Sequence, residues 1–337
     1  MKAIRVGVIG LGHLGRQHLR VYSELKEARL MGGYDIDLVK ARERCRTLGT
    51  RAFPECEALL ERVEAVSIAV PTLSHYEVAR LVFDRGVHLL IEKPITRTLE
   101  EAEALIDDAN RKNLVLQVGH IERFNGAMRA LKDFSIKPLF IESHRLAPFD
   151  PRGTDVSVVL DLMIHDVDIV LSLVKSPIER VDAVGVGVVS EKEDIANGRI
   201  LFKNGCVANL TASRIARKRM RKMRIFQHNA YITLDFLEGQ AEMFRLVGPD
   251  LAGRETQQLS PDFGQIELGT KGNRILCERP LVQKEEPLKL ELQSFLRAVQ
   301  TGRRPVVSGE DGRDALKVGL QIVEGVKVHS ARLRANF

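Results

Sequence analysis

Three groups of residues in this chain have the types and spacing to do chemistry. The first lies in the apolar run VVLDLMIHDVDIVLSLV, residues 158–174, which carries Asp161, His165, Asp166 and Asp168. At 100° per residue, Asp161, His165, Asp168 and Ser172 fall at about 0°, 40°, 340° and 20° on a helix. They form one narrow polar stripe, whereas Asp166 falls away from it at about 140°. A surface helix has a broader polar face, so the stripe predicts a mostly buried helix with one edge on a cleft. An imidazole on such an edge titrates near neutrality and suits proton abstraction, with Asp161 one turn away to orient it or to bind a hydroxyl. Asp168 is placed to support His165 from the other side. Two carboxylates and an imidazole are also possible metal ligands, but no zinc spacing with a third His is present, and no metal is expected.

The second group is Gly10-x-Gly12-x-x-Gly15 in VGVIGLGHLG, followed 20 residues later by Asp35. Such glycines also mark ordinary turns. Here they follow a strand and open a helix, the context that dinucleotide binding requires. Gly10 permits the tight turn, Gly12 admits a pyrophosphate to the backbone, and Gly15 lets helix pack on strand. The helix N-terminus, with His13 and Leu14 in its first turn, favours phosphate charge. Asp35 suits ribose hydroxyls and repels a 2′-phosphate, so NAD is expected over NADP, although Arg42 and Arg44 follow on the next helix. The third group is Glu92-Lys93-Pro94 in IEKPIT, at the carboxyl end of a strand, where ligands bind in open α/β sheets. The Lys93 ammonium is a candidate donor to a reacting oxygen. Pro71 and His75 follow another strand end and are expected to line the cofactor pocket with Glu92 and Lys93.

The elements that must position these groups are legible from periodicity. AIRVGVIG, ARLMGGYD, EAVSIAV, VHLLIEKPI and LVLQVGH read as strands that alternate with helices, which implies a doubly wound parallel sheet over residues 1–121. Thr98 reads as a helix N-cap, with Glu101 completing a capping box. Beyond residue 121, PLFIESHRL, VDAVGVGVV, RILF, CVANLTASRI, MRIFQ and AYITLDF read as strands with hairpin signals. Asn204-Gly205 matches a type I′ turn. The expectation is an α+β domain on a largely antiparallel open sheet over 122–308, with helix 309–330 packing back on the first domain.

The bulk numbers fit a soluble enzyme-sized protein. The 337 residues are 44% hydrophobic and 28% charged, and no apolar run suits a bilayer span. The N-terminus continues directly into a folded-domain pattern, so it does not read as a signal peptide. The four cysteines are scattered, as in a reducing compartment, and a cytoplasmic location is expected. The net charge of +6 owes much to RIARKRMRKMR, residues 214–224, with seven Lys or Arg and no acid. Its readings are a solvated surface, a diphosphate-binding surface, or a nucleic-acid contact. The last is weak without an accompanying motif, and neither nucleic acid nor a membrane is expected as a partner.

Taken in order, these motifs resemble the Gfo/Idh/MocA family of sugar and polyol oxidoreductases. VPTLSHYEVA (70–79) is similar to the family segment after the fourth strand, GHIERFN (119–125) to the crossover into the second domain, and Asp161-x-x-x-His165 to the family's Asp-x-Gly-x-His helix. Val158, Val159 and Met163 stand where the family often has glycine, which puts the pocket shape in question. The resemblance implies NAD-dependent oxidation of a sugar hydroxyl, with Lys93, His165 and Asp161 catalytic. It implies Asp161 and His165 at the substrate, with Arg123 and Asn125 either beside them or holding the interdomain hinge. PRGTDVSVVLDLMIHDVD and SRIARKRMRKMRIFQ look most like the branch that oxidises C3 of UDP-N-acetylglucosamine. A homodimer or homotetramer through the open sheet is implied. An inositol or free-sugar dehydrogenase is the enzymatic alternative, and a non-catalytic NAD-binding sensor is the alternative from another class.

Overall fold

The computed structural model describes residues 2–150, 156–247, 265–268 and 273–335. Part of the segment PRGTDVSVVLDLMIHDVD, residues 151–155, lies outside them. The first half runs β1 (Ile4–Ile9), α1 (His13–Glu24), β2 (Ala28–Tyr34), α2 (Leu38–Arg46), β3 (Arg51–Ala52), α3 (Cys56–Leu60), β4 (Ala65–Ile68), α4 (His75–Asp84), β5 (His88–Glu92), α5 (Leu99–Arg111) and β6 (Leu116–Gly119). The second continues with α6 (Gly126–Arg129), β7 (Phe140–Leu146), α7 (Ile164–Val174), β8 (Ile178–Val186), β9 (Ile195–Phe202), β10 (Val207–Ser213), β11 (Met220–Gln227), β12 (Ala230–Asp235) and β13 (Gln240–Val247). It closes with β14 (Gln265–Leu268), β15 (Asn273–Glu278), α8 (Pro287–Thr301) and α9 (Gly309–Ala335).

Two compact units result, Met1–Phe124 with Glu285–Lys317, and Asn125–Lys284 with Val318–Phe337. In the first, six parallel strands take the order β3-β2-β1-β4-β5-β6. The order reverses between β1 and β4, which creates the switch point where α/β sheets bind ligands. The short β3 and α3 carry too few residues to show a period in the sequence. The N-cap of α5 is the expected box. Thr98 accepts from the Glu101 N–H at 3.2 Å, and the Glu101 carboxylate accepts from the Thr98 N–H and also from the N–H and guanidinium of Arg97.

The expected extent of the second domain, 122–308, is not how the chain divides. Helix α8 belongs to the first unit because Leu288, Leu292, Phe295 and Leu296 are buried in one core with Val6, Val8, Leu19 and Tyr22. Each such side chain contributes about 1.5–3 kcal/mol, so this apolar face fixes the partner of α8. Helix α9 is shared. Its first turns pack through Gly309 and Gly312 on Leu116 and Val118 of the first unit. From Val318 onward it belongs to the second unit, with Gly319 against Leu160 and Gly325 against Ala183.

The second unit is built on a nine-stranded sheet of order β14-β15-β13-β12-β11-β7-β10-β9-β8. It is antiparallel except for the parallel pair β7 and β10. β13, β14 and β15 were not read from the sequence. The β9–β10 hairpin turns at Asn204-Gly205, but not as type I′, which needs positive φ at both residues. Gly205 has φ +85°, whereas Asn204 is not among the residues with positive φ. The Gly205 N–H reaches Phe202 O at 2.9 Å, and the Asn204 side chain accepts from the Cys206 N–H, so this is a three-residue turn ending in a left-handed glycine.

Candidate functional site

The register of the parallel sheet brings the first-unit candidates to one edge. Ile9 pairs with Tyr34 and with Ile68, and Ile68 pairs with Ile91. The next residues, Gly10, Asp35, Ala69 and Glu92, therefore lie along one row at its carboxyl end. Pro71 stands exposed after β4, and Lys93 is half-buried after β5, joined to Pro94 by a cis peptide.

The three fingerprint glycines answer to different constraints. Gly10 has φ +86°, and a Cβ there would lie 2.7 Å from Ala69 O. A Cβ at Gly15 would lie 1.8 Å from Gly10 O, so these two glycines are demanded by the fold. A Cβ at Gly12 would meet nothing within 4 Å. Gly12 caps α1 with no side-chain hydrogen bond, and His13 and Leu14 beside it are exposed. An open helix N-terminus with room over its first residue fits a pyrophosphate, and the residues present therefore fit a dinucleotide. Gly12→Ala is expected to leave the melting temperature within roughly 2 °C while weakening NADH binding about tenfold or more, since small exposed substitutions cost little stability. Fluorescence titration with NADH beside thermal unfolding checks this.

Asp35 is buried at the end of β2. Its Oδ2 accepts from the Leu11 N–H at 2.7 Å and pairs with Lys40 Nζ at 3.0 Å, and its Oδ1 accepts from the Asp37 N–H at 2.9 Å. Burial pushes its carboxyl up, but the two N–H donors and Lys40 outweigh that and hold Asp35 below the usual carboxylate range. An ionised carboxylate at this point suits a ribose diol. Lys40 was not anticipated. It sits one helical turn beyond Ile36, and nothing in its spacing announces the pair.

His75 is placed otherwise than expected. It is 1% exposed, with Nδ1 2.9 Å from Pro94 O and Nε2 3.0 Å from Val70 O. Burial pushes the ring pKa down, and a neutral imidazole has one N–H, so it donates to one of these two carbonyls and packs against the other; His75 sits between two loops and does not line a pocket. Glu92 turns inward as well. Its Oε1 lies 3.0 Å from Nε2 of the buried His18, which no motif in the sequence marks. Arg123 and Asn125, expected at the substrate or the interdomain hinge, have structural partners. Arg123 lies 4.0 Å from Asp311. Asn125 caps α6 by accepting from the Ala127 N–H and donates to Phe236 O, each at 3.0 Å.

In the second unit, α7 carries the polar stripe. Its entry is a π-turn, Val159–Met163, in which the Ile164 N–H bonds Val159 O. Such turns mark functional positions in helices. The extra residue in that turn means uniform 100° steps do not hold through Asp161. Asp161, His165 and Ser172 nevertheless remain half-exposed, whereas Asp168 is 1% exposed, a buried member of the expected stripe. Met163 is fully buried, so it fills core and does not shape an open surface. Asp166 forms a two-bond pair with Arg145, at 2.9 Å for each bond and with both side chains 2% exposed. The basic run divides: Lys222 and Arg224 on β11 pair with Asp235 and Glu142. Arg217, Lys218 and Arg219 are exposed in the loop before β11. Among the described residues, no group of three or more His, Cys, Asp or Glu is arranged to hold a metal ion, and no helix is long and apolar enough to cross a membrane.

Comparison with known proteins decides the family. Residues 4–120 match the oxidoreductase family model with an NAD-binding Rossmann fold, and residues 137–233 match the GFO/IDH/MocA C-terminal domain. The chain belongs to the Gfo/Idh/MocA oxidoreductase family. It is 38% identical over 98% of its length to UDP-N-acetylglucosamine 3-dehydrogenase of Acidithiobacillus ferrooxidans, covering 99% of that protein. A solved structure of that enzyme superposes with a TM-score of 0.87, at 39% identity over 98% of this chain and 99% of that one. Myo-inositol 2-dehydrogenase of Thermotoga maritima is 27% identical, with 94% of each chain covered. The protein is therefore an NAD-binding oxidoreductase whose relatives are dehydrogenases acting on sugar and polyol hydroxyls.

Proposed function

We propose that this protein oxidises C3 of UDP-N-acetylglucosamine, or of a close nucleotide sugar, to a ketone. The observation that carries the reading is the 38% identity to a UDP-N-acetylglucosamine 3-dehydrogenase along 98% of the chain. Bound NAD supplies the hydride acceptor. Gly10, Gly12 and Gly15, with the first turn of α1, hold its pyrophosphate, and Asp35 holds its adenosine ribose. Lys93 donates a hydrogen bond to the reacting oxygen and stabilises its developing negative charge. His165 takes the hydroxyl proton, and Asp161 orients the imidazole or a neighbouring sugar hydroxyl. NADH formation with UDP-N-acetylglucosamine, but not with myo-inositol or free N-acetylglucosamine, is the expected result. NADH formed only with inositol would replace this reading with that of a polyol dehydrogenase.

The diphosphate has a candidate partner in the loop that carries Arg217, Lys218 and Arg219. Arg214 at its start donates to Val156 O, and the Ala216 N–H bonds Ala147 O, so the loop is tied to the segment that leads into Asp161. Arginine forks suit phosphate oxygens. Replacing the three exposed bases by alanine is expected to raise KM for the nucleotide sugar roughly tenfold, equivalent to about 1.4 kcal/mol of lost binding. Unchanged KM would return the loop to a solvated surface. A cytoplasmic location belongs to the same reading. So does self-association through the open sheet, whose one face carries a row of touching rings, Phe140, Phe226, Tyr231 and Phe244.

A further inference from the structure

Lys93 sits in a turn gripped from both sides by buried histidines. On one side, His18 of α1, 1% exposed, places Nε2 3.0 Å from Glu92 Oε1. The Glu92 carboxylate has little freedom, because it lies over Gly119, where a Cβ would come within 3.0 Å of Oε2. On the other side, His75 of α4 reaches Pro94 O at 2.9 Å and Ile95 O at 3.2 Å through Nδ1, and Val70 O at 3.0 Å through Nε2. The residues flanking Lys93 thus each meet a side chain from a different helix. Burial pushes the Glu92 carboxyl up, but the hydrogen bond and charge of His18, with Lys93 and His75 nearby, hold it below its usual range. A carboxylate kept ionised is the stronger acceptor, so the His18 link is a firm one.

We propose that His18 and His75 are positioning residues for Lys93: His18 through the Glu92 carboxylate, His75 through the carbonyls of Pro94 and Ile95. The inference rests on the reading of Lys93 as the donor to the reacting oxygen. Displacement of a reacting group by about 1 Å costs on the order of a hundredfold in rate, which sets the scale of the effect. Neither histidine needs to touch substrate or cofactor to exert it.

The test uses the full-length protein with NAD and UDP-N-acetylglucosamine, and it reads kcat, KM and NADH affinity separately. His18→Leu is expected to lower kcat roughly ten- to a hundredfold while KM and NADH affinity stay within about threefold. His18→Gln can still donate to Glu92 and is expected to recover part of the loss, to about three- to tenfold below wild type. Wild-type kcat in His18→Leu overturns the proposal, as does a loss that appears equally in NADH affinity. If His18→Leu does not fold, His18→Gln decides: a lowered kcat at unchanged KM supports the clamp, and wild-type kcat overturns it. Lys93→Ala is run in parallel. If Lys93→Ala turns over normally, the underlying reading of Lys93 has failed and the clamp falls with it. If Lys93→Ala is inactive and His18→Leu is normal, Lys93 stands and only the clamp has failed.

Discussion

Lys93→Ala is expected to lower kcat by roughly 10²–10⁴-fold, the range for loss of a positioned polar group at a reacting centre, with NADH affinity within about threefold of wild type. The contrast follows from where the side chain stands. The pyrophosphate and ribose contacts assigned to NAD come from the α1 N-terminus and Asp35, at the ends of β1 and β2, whereas Lys93 follows β5. The turn itself is held by His18 on Glu92 and by His75 on Pro94 and Ile95, none of which the substitution removes. Lys93 is only half-buried, so folding is expected to survive and thermal unfolding to shift little. Lys93→Met keeps most of the apolar stem without the ammonium and is expected to match alanine in rate, and Lys93→Arg offers a planar fork in place of a point donor and is not expected to restore wild-type turnover. NADH absorbance in steady state and NADH fluorescence in titration separate the two quantities. Normal turnover of Lys93→Ala would remove Lys93 from the chemistry.

The sequence made the sheet edge legible because its evidence is local. Gly10, Gly12 and Gly15 announce a strand-turn-helix, and Glu92-Lys93 directly follows an apolar strand. What stayed hidden depends on contacts between distant positions. His18 occupies an unremarkable helix position, and no spacing rule links it to Glu92, 74 residues away. Lys40 and Asp35 are close in sequence, but their pairing depends on how α2 leaves β2. The polar stripe on 158–174 was half right for a stated reason. Uniform helical steps placed Asp161 and His165 together at the accessible edge, but they could not foresee the π-turn at 159–163 or the burial of Asp168. The extent of the second domain failed because amphipathic periodicity shows that α8 buries a face and says nothing about which core receives it. One buried contact did leave a trace. In FIESHRL the alternation puts Arg145 on the inward face with Ile141 and Ser143. A charge at an inward position needs a partner, and Asp166, the acid off the polar stripe, is that partner.

Asp166→Ala is accordingly expected to destabilise the protein by about 3–5 kcal/mol, because it takes from the buried Arg145 guanidinium the carboxylate that meets it through two bonds. Both side chains are 2% exposed and share two bonds of 2.9 Å, and Arg145 also lies 5.9 Å over the Phe236 ring. Arg145→Ala is expected to cost a similar amount by leaving the carboxylate unpaired. The pair itself adds less than either single loss implies, since both charges were desolvated to form it. The double variant Arg145→Met, Asp166→Leu should therefore regain most of the stability lost in the singles, and a double-mutant cycle by denaturant unfolding measures this. A double variant as unstable as the sum of the singles would mean that the two residues do not act as a unit. The recovered protein then separates stability from catalysis. Arg145 on β7 and Asp166 on α7 fix that helix next to His165, so a well-folded double variant with lowered kcat assigns the pair a part in aiming the imidazole. Full activity would mean that burial of Val167, Val170 and Met163 suffices to seat the helix. The apolar contacts are spread along α7 and tolerate small rotations, whereas a two-bond ion pair has one geometry, and on that ground the lowered kcat is the expected result.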